Sequence, residues 1–174
     1  NHLIISMKRF ILLMACILGL FSSINAQLEV QIGEGSATNA NLPTNLYYEH
    51  SVSQQIYTAE DMQGAVGSIT GFSVKLASPA INVNRDFAIY MVNTDKSSFE
   101  SDYDWYPVTQ NDLVYDGIVT LNGYDGDLVT IDFQTPFEYT GENLILYICD
   151  KTGDFASTTR FYTWTSAASR SLRV

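Results

Sequence analysis

From residue 28 onward, apolar side chains recur at every second position in one short segment after another, and no apolar stripe at helical spacing persists for three turns. Residues two apart share one face of a strand, so this spacing commits the chain to sheets that bury at least one face. Leu28, Val30 and Ile32 alternate with Glu29 and Gln31, which predicts a first strand over 28–32 that stops at Gly33-Glu34-Gly35. Residues 35–45, small and polar with Pro43, read as a loop crossing the surface. Residues 51–57 are expected to be extended and to lead into a short turn at 58–61, where Thr58 and Asp61 approximate a capping box.

Over 69–76, Thr70, Phe72, Val74 and Leu76 share one face and Gly71, Ser73 and Lys75 the other, the pattern of a half-exposed strand. Over 86–92 both faces are apolar, so that strand belongs in the middle of a sheet. Segments 113–121, 128–133, 144–149 and 160–165 complete the set, separated by turn signals at Asn122-Gly123, Asp125-Gly126, Thr135-Pro136, Thr140-Gly141 and Thr152-Gly153. About eight short strands without crossover helices predict an all-β fold, an antiparallel two-sheet β-sandwich of jelly-roll type.

The first 26 residues follow a different rule. Lys8-Arg9, the apolar run from Phe10 to Phe21 and the small or polar residues up to Ala26 predict a signal-peptide helix, cleaved after Ala26, with Met7 as the true start. A lipoprotein box at Leu13-Met14-Ala15-Cys16 is the weaker alternative, because the apolar run continues past Cys16. The run is also too short to span a bilayer, which needs about 20 apolar residues. The expected product is secreted or held at the outer cell surface, as one domain over 27–174. Ser171-Leu172-Arg173-Val174 reads as the opening of one more strand, so the chain is expected to be a C-terminally truncated piece of a longer protein.

Loss of the leader removes Lys8 and Arg9 and no acid, which takes the formal charge from −10 to −12. So acidic a domain disfavours nucleic acid and anionic membrane surfaces as partners and leaves neutral glycans, basic peptides and cations. Cys149 alone survives cleavage, so no internal disulfide is expected.

Residue counts also narrow the chemistry. His50 is the single histidine after the leader, which rules out zinc sites built on several histidines and makes any Ser-His-Asp arrangement depend on that residue. No Gly-x-Ser-x-Gly, His-Glu-x-x-His or phosphate-cradling glycine loop occurs. His50, in Tyr47-Tyr48-Glu49-His50-Ser51, reads as a surface histidine at the entry of a strand. Cys149, at the end of an apolar run, reads as a small buried residue. No catalytic residue is assigned.

The densest chemical cluster is Glu100-Ser101-Asp102-Tyr103-Asp104-Trp105-Tyr106. Rings supply flat apolar faces and carboxylates accept hydroxyl hydrogen bonds, so Asp102, Tyr103, Asp104, Trp105 and Tyr106 form the candidate ligand-binding set. The competing reading has Trp105 and Tyr106 tucked inward, pinning a long connection above solvated acids. No cofactor is required. Calcium is an option at Asp102 and Asp104 or at Asp125 and Asp127, though neither pair follows a full EF-hand spacing.

The strings Leu42-Pro43-Thr44-Asn45, Ser53-Gln54-Gln55-Ile56-Tyr57-Thr58-Ala59, Ile89-Tyr90-Met91-Val92-Asn93-Thr94-Asp95-Lys96-Ser97-Ser98-Phe99 and Asp112-Leu113-Val114-Tyr115-Asp116-Gly117 resemble a module repeated in surface and secreted proteins of Bacteroidetes. That module is similar to the jelly-roll domains of the cleaved-adhesin and haemagglutinin type found beside extracellular peptidases and type IX secretion signals. The resemblance covers most of residues 30–165 and carries over no catalytic residue. It implies a non-catalytic adhesin, carbohydrate-binding or host-protein-binding module working beside other domains of a longer chain. An accessory domain of an extracellular glycosidase or peptidase, and a structural spacer, are the alternatives. Exposed Tyr103 and Trp105 are expected of a binding module, and a surface bare of aromatic rings of a spacer.

Overall fold

Strand β4 (Ile81–Thr94) explains the architecture. Phe87, Ile89 and Met91 point to one side and are almost fully buried, while Ala88, Tyr90 and Val92 face the other, where Ala88 is buried and the other two are partly covered. A strand apolar on both faces needs neighbours on both edges and cover on both sides, and β4 has them. It pairs antiparallel with β5 (Leu113–Gly123) and with β7 (Asn143–Asp150) in a five-stranded sheet of order β5-β4-β7-β2-β9. In that sheet β2 is Ser51–Tyr57 and β9 is Ser171–Arg173.

The computed structural model describes residues 28–174, so the leader expected over 1–26 lies outside the described residues. Opposite the five-stranded sheet lie two antiparallel pairs, β3 (Gly67–Lys75) with β6 (Leu128–Tyr139) and β1 (Ala37–Asn39) with β8 (Phe161–Thr163). A bridge between Leu76 and Phe161 joins the two pairs into one layer. The pairings nest: β4 with β5, β3 with β6, β2 with β7 and β1 with β8, alternating between the layers. That is a hairpin rolled into a sandwich, the jelly roll the strand spacing predicts.

Between the layers Phe87, Ile89, Met91, Leu146 and Ile148 pack against Leu76, Val129, Ile131 and Phe161. A second apolar cluster lies on the outer face of the five-stranded sheet, made of Ile56, Ile145, Leu172 and Phe99 with Val92, Trp105 and Tyr106 against it. The long β4–β5 connection therefore folds back over the sheet and covers it.

Four local expectations are corrected. Residues 35–45, expected to be a loop, carry the short strand β1 over Ala37–Asn39. Residues 28–32 alternate as expected, with Val30 and Ile32 partly buried, but make no strand pairing; Ile32 packs on the core as an unladdered segment. Thr135-Pro136 does not end a strand. It lies in an irregularity where β6 spends residues 133–136 opposite Thr70, so Pro136, which has no N–H to donate, sits where no ladder bond is needed. The same irregularity turns Thr70 outward and brings Ile69 inward beside Phe72. Gly71 sits there because a Cβ would fall 2.5 Å from the Ile131 carbonyl oxygen. The turn at 58–61 forms as expected: the Asp61 carboxylate accepts from the Thr58 N–H (2.8 Å) and hydroxyl (2.9 Å).

Candidate functional site

The acidic aromatic loop divides into a pinned half and an exposed half. Trp105 and Tyr106 are half-buried over the outer sheet face, with the Trp105 ring edge-on to Tyr147 at 6.4 Å. Gln54, fully buried, locks the backbone of Tyr106 from below: its Nε2 donates to the Tyr106 carbonyl (2.7 Å) and its Oε1 accepts the Tyr106 N–H (2.8 Å). Asp104 accepts from the Glu100 N–H (2.8 Å) and pairs with Lys96 (2.6 Å), and these contacts, the backbone one first, hold its carboxyl below the ordinary carboxylate range. Asp102 and Tyr103 remain at the surface, and Tyr103 is 91% exposed. The structure thus leaves the loop one strongly exposed ring, Tyr103, with the exposed acids Glu100 and Asp102 near it in the chain.

The other proposed calcium ligands are already engaged, Asp125 by a residue of β8 and Asp127 within its own turn. Asp125 accepts from the Tyr162 hydroxyl (3.2 Å) and Asp127 from the Tyr124 N–H (2.8 Å). Among the described residues, no group of three His, Cys, Asp or Glu side chains converges in the manner of a metal site. Cys149 is half-buried on the outer face, and burial pushes its thiol pKa up despite nearby Lys151, which leaves little thiolate at neutral pH.

Exposed rings converge instead at one end of the sandwich. Tyr47, Tyr48, Glu49, His50 and Phe155 line an open hollow of about 540 Å3. Tyr47 and Tyr48 are each 57% exposed and Phe155 is 68% exposed. The two tyrosine rings meet edge to face, 5.5 Å apart. Two loops supply the site, residues 44–50 before β2 and residues 151–157 after β7.

These loops are held rigidly for a physical reason that lies beneath them. Arg85 of β4, 1% exposed, pairs through Nε (2.7 Å) and Nη2 (2.6 Å) with Asp150 Oδ2 at the end of β7. Its remaining donors reach the Tyr48 carbonyl (3.0 Å) and the Asp154 carbonyl (2.7 Å), one on each loop. Asp150 in turn accepts from the Thr152 N–H (3.1 Å) and hydroxyl (2.6 Å). The guanidinium fork suits this multiple contact, which a lysine ammonium would not reproduce. Above it the loops are zipped together by the Gly153 N–H to the Glu49 carbonyl (3.0 Å) and the Ala156 N–H to the Leu46 carbonyl (2.8 Å). Leu46, fully buried, nails the first loop to the core.

Sequence reasoning marked His50 and its tyrosines as surface residues but did not join them to Phe155, 105 positions away in the chain. A signal was present: Arg85 and Asp150 adjoin apolar strands, where a charge is kept only if paired. No family model, curated protein or solved structure matches this chain.

Proposed function

We propose that the domain is a secreted or cell-surface binding module that takes a neutral glycan in the hollow formed by Tyr47, Tyr48, Glu49, His50 and Phe155. The observation that carries this reading is the placement of three exposed rings on loops fixed from below by a buried ion pair. Ring faces stack on the C–H faces of a sugar, and Glu49 and His50 supply a hydroxyl acceptor and a second polar contact. Loops fixed before the ligand arrives lose little entropy on binding. The strong negative charge favours a neutral ligand over a sulfated or uronic one. The resemblance to adhesin-type jelly-roll modules points the same way.

A protein partner is the second reading, favoured by Tyr103, which projects from a loop pinned on both sides. A glycan array and an extracellular-matrix panel, each probed with the native domain and with Tyr48→Ala, Phe155→Ala, Tyr103→Ala and Trp105→Ala, separates the two. Glycan binding lost with Tyr48→Ala and Phe155→Ala and kept with Tyr103→Ala supports the first reading. Loss of matrix-protein binding with Tyr103→Ala alone supports the second. Silence on both, from a folded domain, rejects both.

A further inference from the structure

Strand β9 is supernumerary. The four nested pairings that close the jelly roll use β1 through β8, and β9 is added outside them along the edge of β2. Its seat has a defined chemistry. The backbones of Val52 and Val174 exchange two hydrogen bonds of 2.9 Å each, the Ile56 N–H donates to the Arg170 carbonyl (2.8 Å) and the Phe99 N–H to the Ser169 carbonyl (2.7 Å). One side chain of the strand is buried: Leu172, 4% exposed, fills a pocket against Ile56, Phe99 and Ile145. Ser171, Arg173 and Val174 are exposed. Residues 164–170, which lead to the strand, form no ladder of their own.

We infer that the β2 edge, with its leucine pocket, is an exchangeable strand-accepting groove, and that the occupant it accepts in trans is the segment 169–174 of a second copy of this chain. The contacts that hold segment 169–174 are one apolar anchor, a short set of backbone bonds and the ion pair of Arg170 with Asp61 (2.7 Å), and all are the same whether the segment comes from its own copy or a neighbour's. The hydrogen-bond register and the pocket are already matched to this segment, which is why a second copy fits better than an unrelated peptide. Exchange removes nothing from the nested jelly roll. Because the tether raises the local concentration of the strand, the closed form dominates in dilute solution and exchange grows with protein concentration. The inference is independent of the glycan reading, which concerns a different set of loops.

The test uses the full chain with Cys16 and Cys149 changed to alanine. Ser53 and Arg173 are register partners on β2 and β9, flanked by the hydrogen-bonded Val52–Val174 pair, so they form a non-hydrogen-bonded pair whose spacing suits a disulfide. One chain carries Ser53→Cys, a second carries Arg173→Cys, and the two are refolded together over a range of concentrations and oxidised. The expected result is a disulfide-linked heterodimer whose yield rises with concentration and falls at least tenfold when Leu172→Asp is added to the Arg173→Cys chain. A single chain carrying both cysteines should close internally, which reports the seat itself. Absence of the heterodimer while that internal disulfide forms overturns the inference, as does a heterodimer indifferent to Leu172→Asp. Failure of the internal disulfide overturns it too, since the seat would then not exist in solution.

Discussion

Replacing Arg85 by methionine tests whether one buried guanidinium both stabilises the sandwich and holds the loops that line the hollow. The substitution leaves the Asp150 side chain, fully buried, with no cation, and leaves the Tyr48 and Asp154 carbonyls without their donors. Removing one partner of a buried pair costs about 3–5 kcal/mol, because the other charge is stranded in a medium that solvates it poorly. Against a total stability on the order of 5–15 kcal/mol, that is a large fraction. The double variant Arg85→Met/Asp150→Leu removes the stranded charge and, by the same reasoning, recovers the stability to within about 1–2 kcal/mol of the native chain. It does not restore the two carbonyl contacts, and it also removes the acceptor of the Thr152 N–H and hydroxyl. Urea unfolding should therefore show a large loss in the single variant and a small one in the double. Hydrogen exchange should show the Gly153 and Ala156 amides, which bond across the loops, losing protection in both variants. A single variant as stable as the native chain, or a double variant whose loop amides stay protected, would show that Arg85 does not hold these loops.

Gly33→Ala should destabilise the domain by about 1–3 kcal/mol in thermal unfolding, because Gly33 has φ of 73° and a Cβ would meet the Trp164 ring at 2.7 Å. Gln54→Leu should cost about 2–3 kcal/mol by leaving both polar groups of the Tyr106 backbone unpaired, while ligand binding at the distant hollow stays unchanged in a titration. Burial, with a smaller contribution from Asp61, pushes the Tyr57 hydroxyl up to about 12 from its ordinary 10. Its folded pKa is the higher one, so its share of stability is complete below pH 10 and is lost as pH rises from 10 to 12, at up to about 1.4 kcal/mol per pH unit. Denaturation at pH 9, 10 and 11 should show that decline steepening, and Tyr57→Phe should flatten it.

Much of the fold was legible because alternation is a local property. Apolar residues on both faces of β4 mark an interior strand, and the apolar run at 144–149 marks its neighbour β7. The run at 28–32 misled because alternation records burial, and Val30 and Ile32 are partly buried without a neighbouring strand to pair with. Thr135-Pro136 misled because a proline can sit in a bulge as well as in a turn. The candidate site was legible only in part. Trp105 and Tyr106 carry the right chemistry, yet Gln54 and Tyr147, distant in sequence, draw them onto the sheet. The hollow depends on Arg85, Asp150 and Phe155 meeting residues 47–50, a long-range juxtaposition that no local pattern encodes.

Backbone amide chemical-shift mapping with an array-positive oligosaccharide locates where the proposed glycan sits on the domain. A glycan in the hollow should give saturable shifts confined to residues 46–50 and 152–156 and abolished by Tyr48→Ala. Shifts centred on residues 99–106, or spread over the outer sheet face with residues 46–50 unmoved, would contradict it.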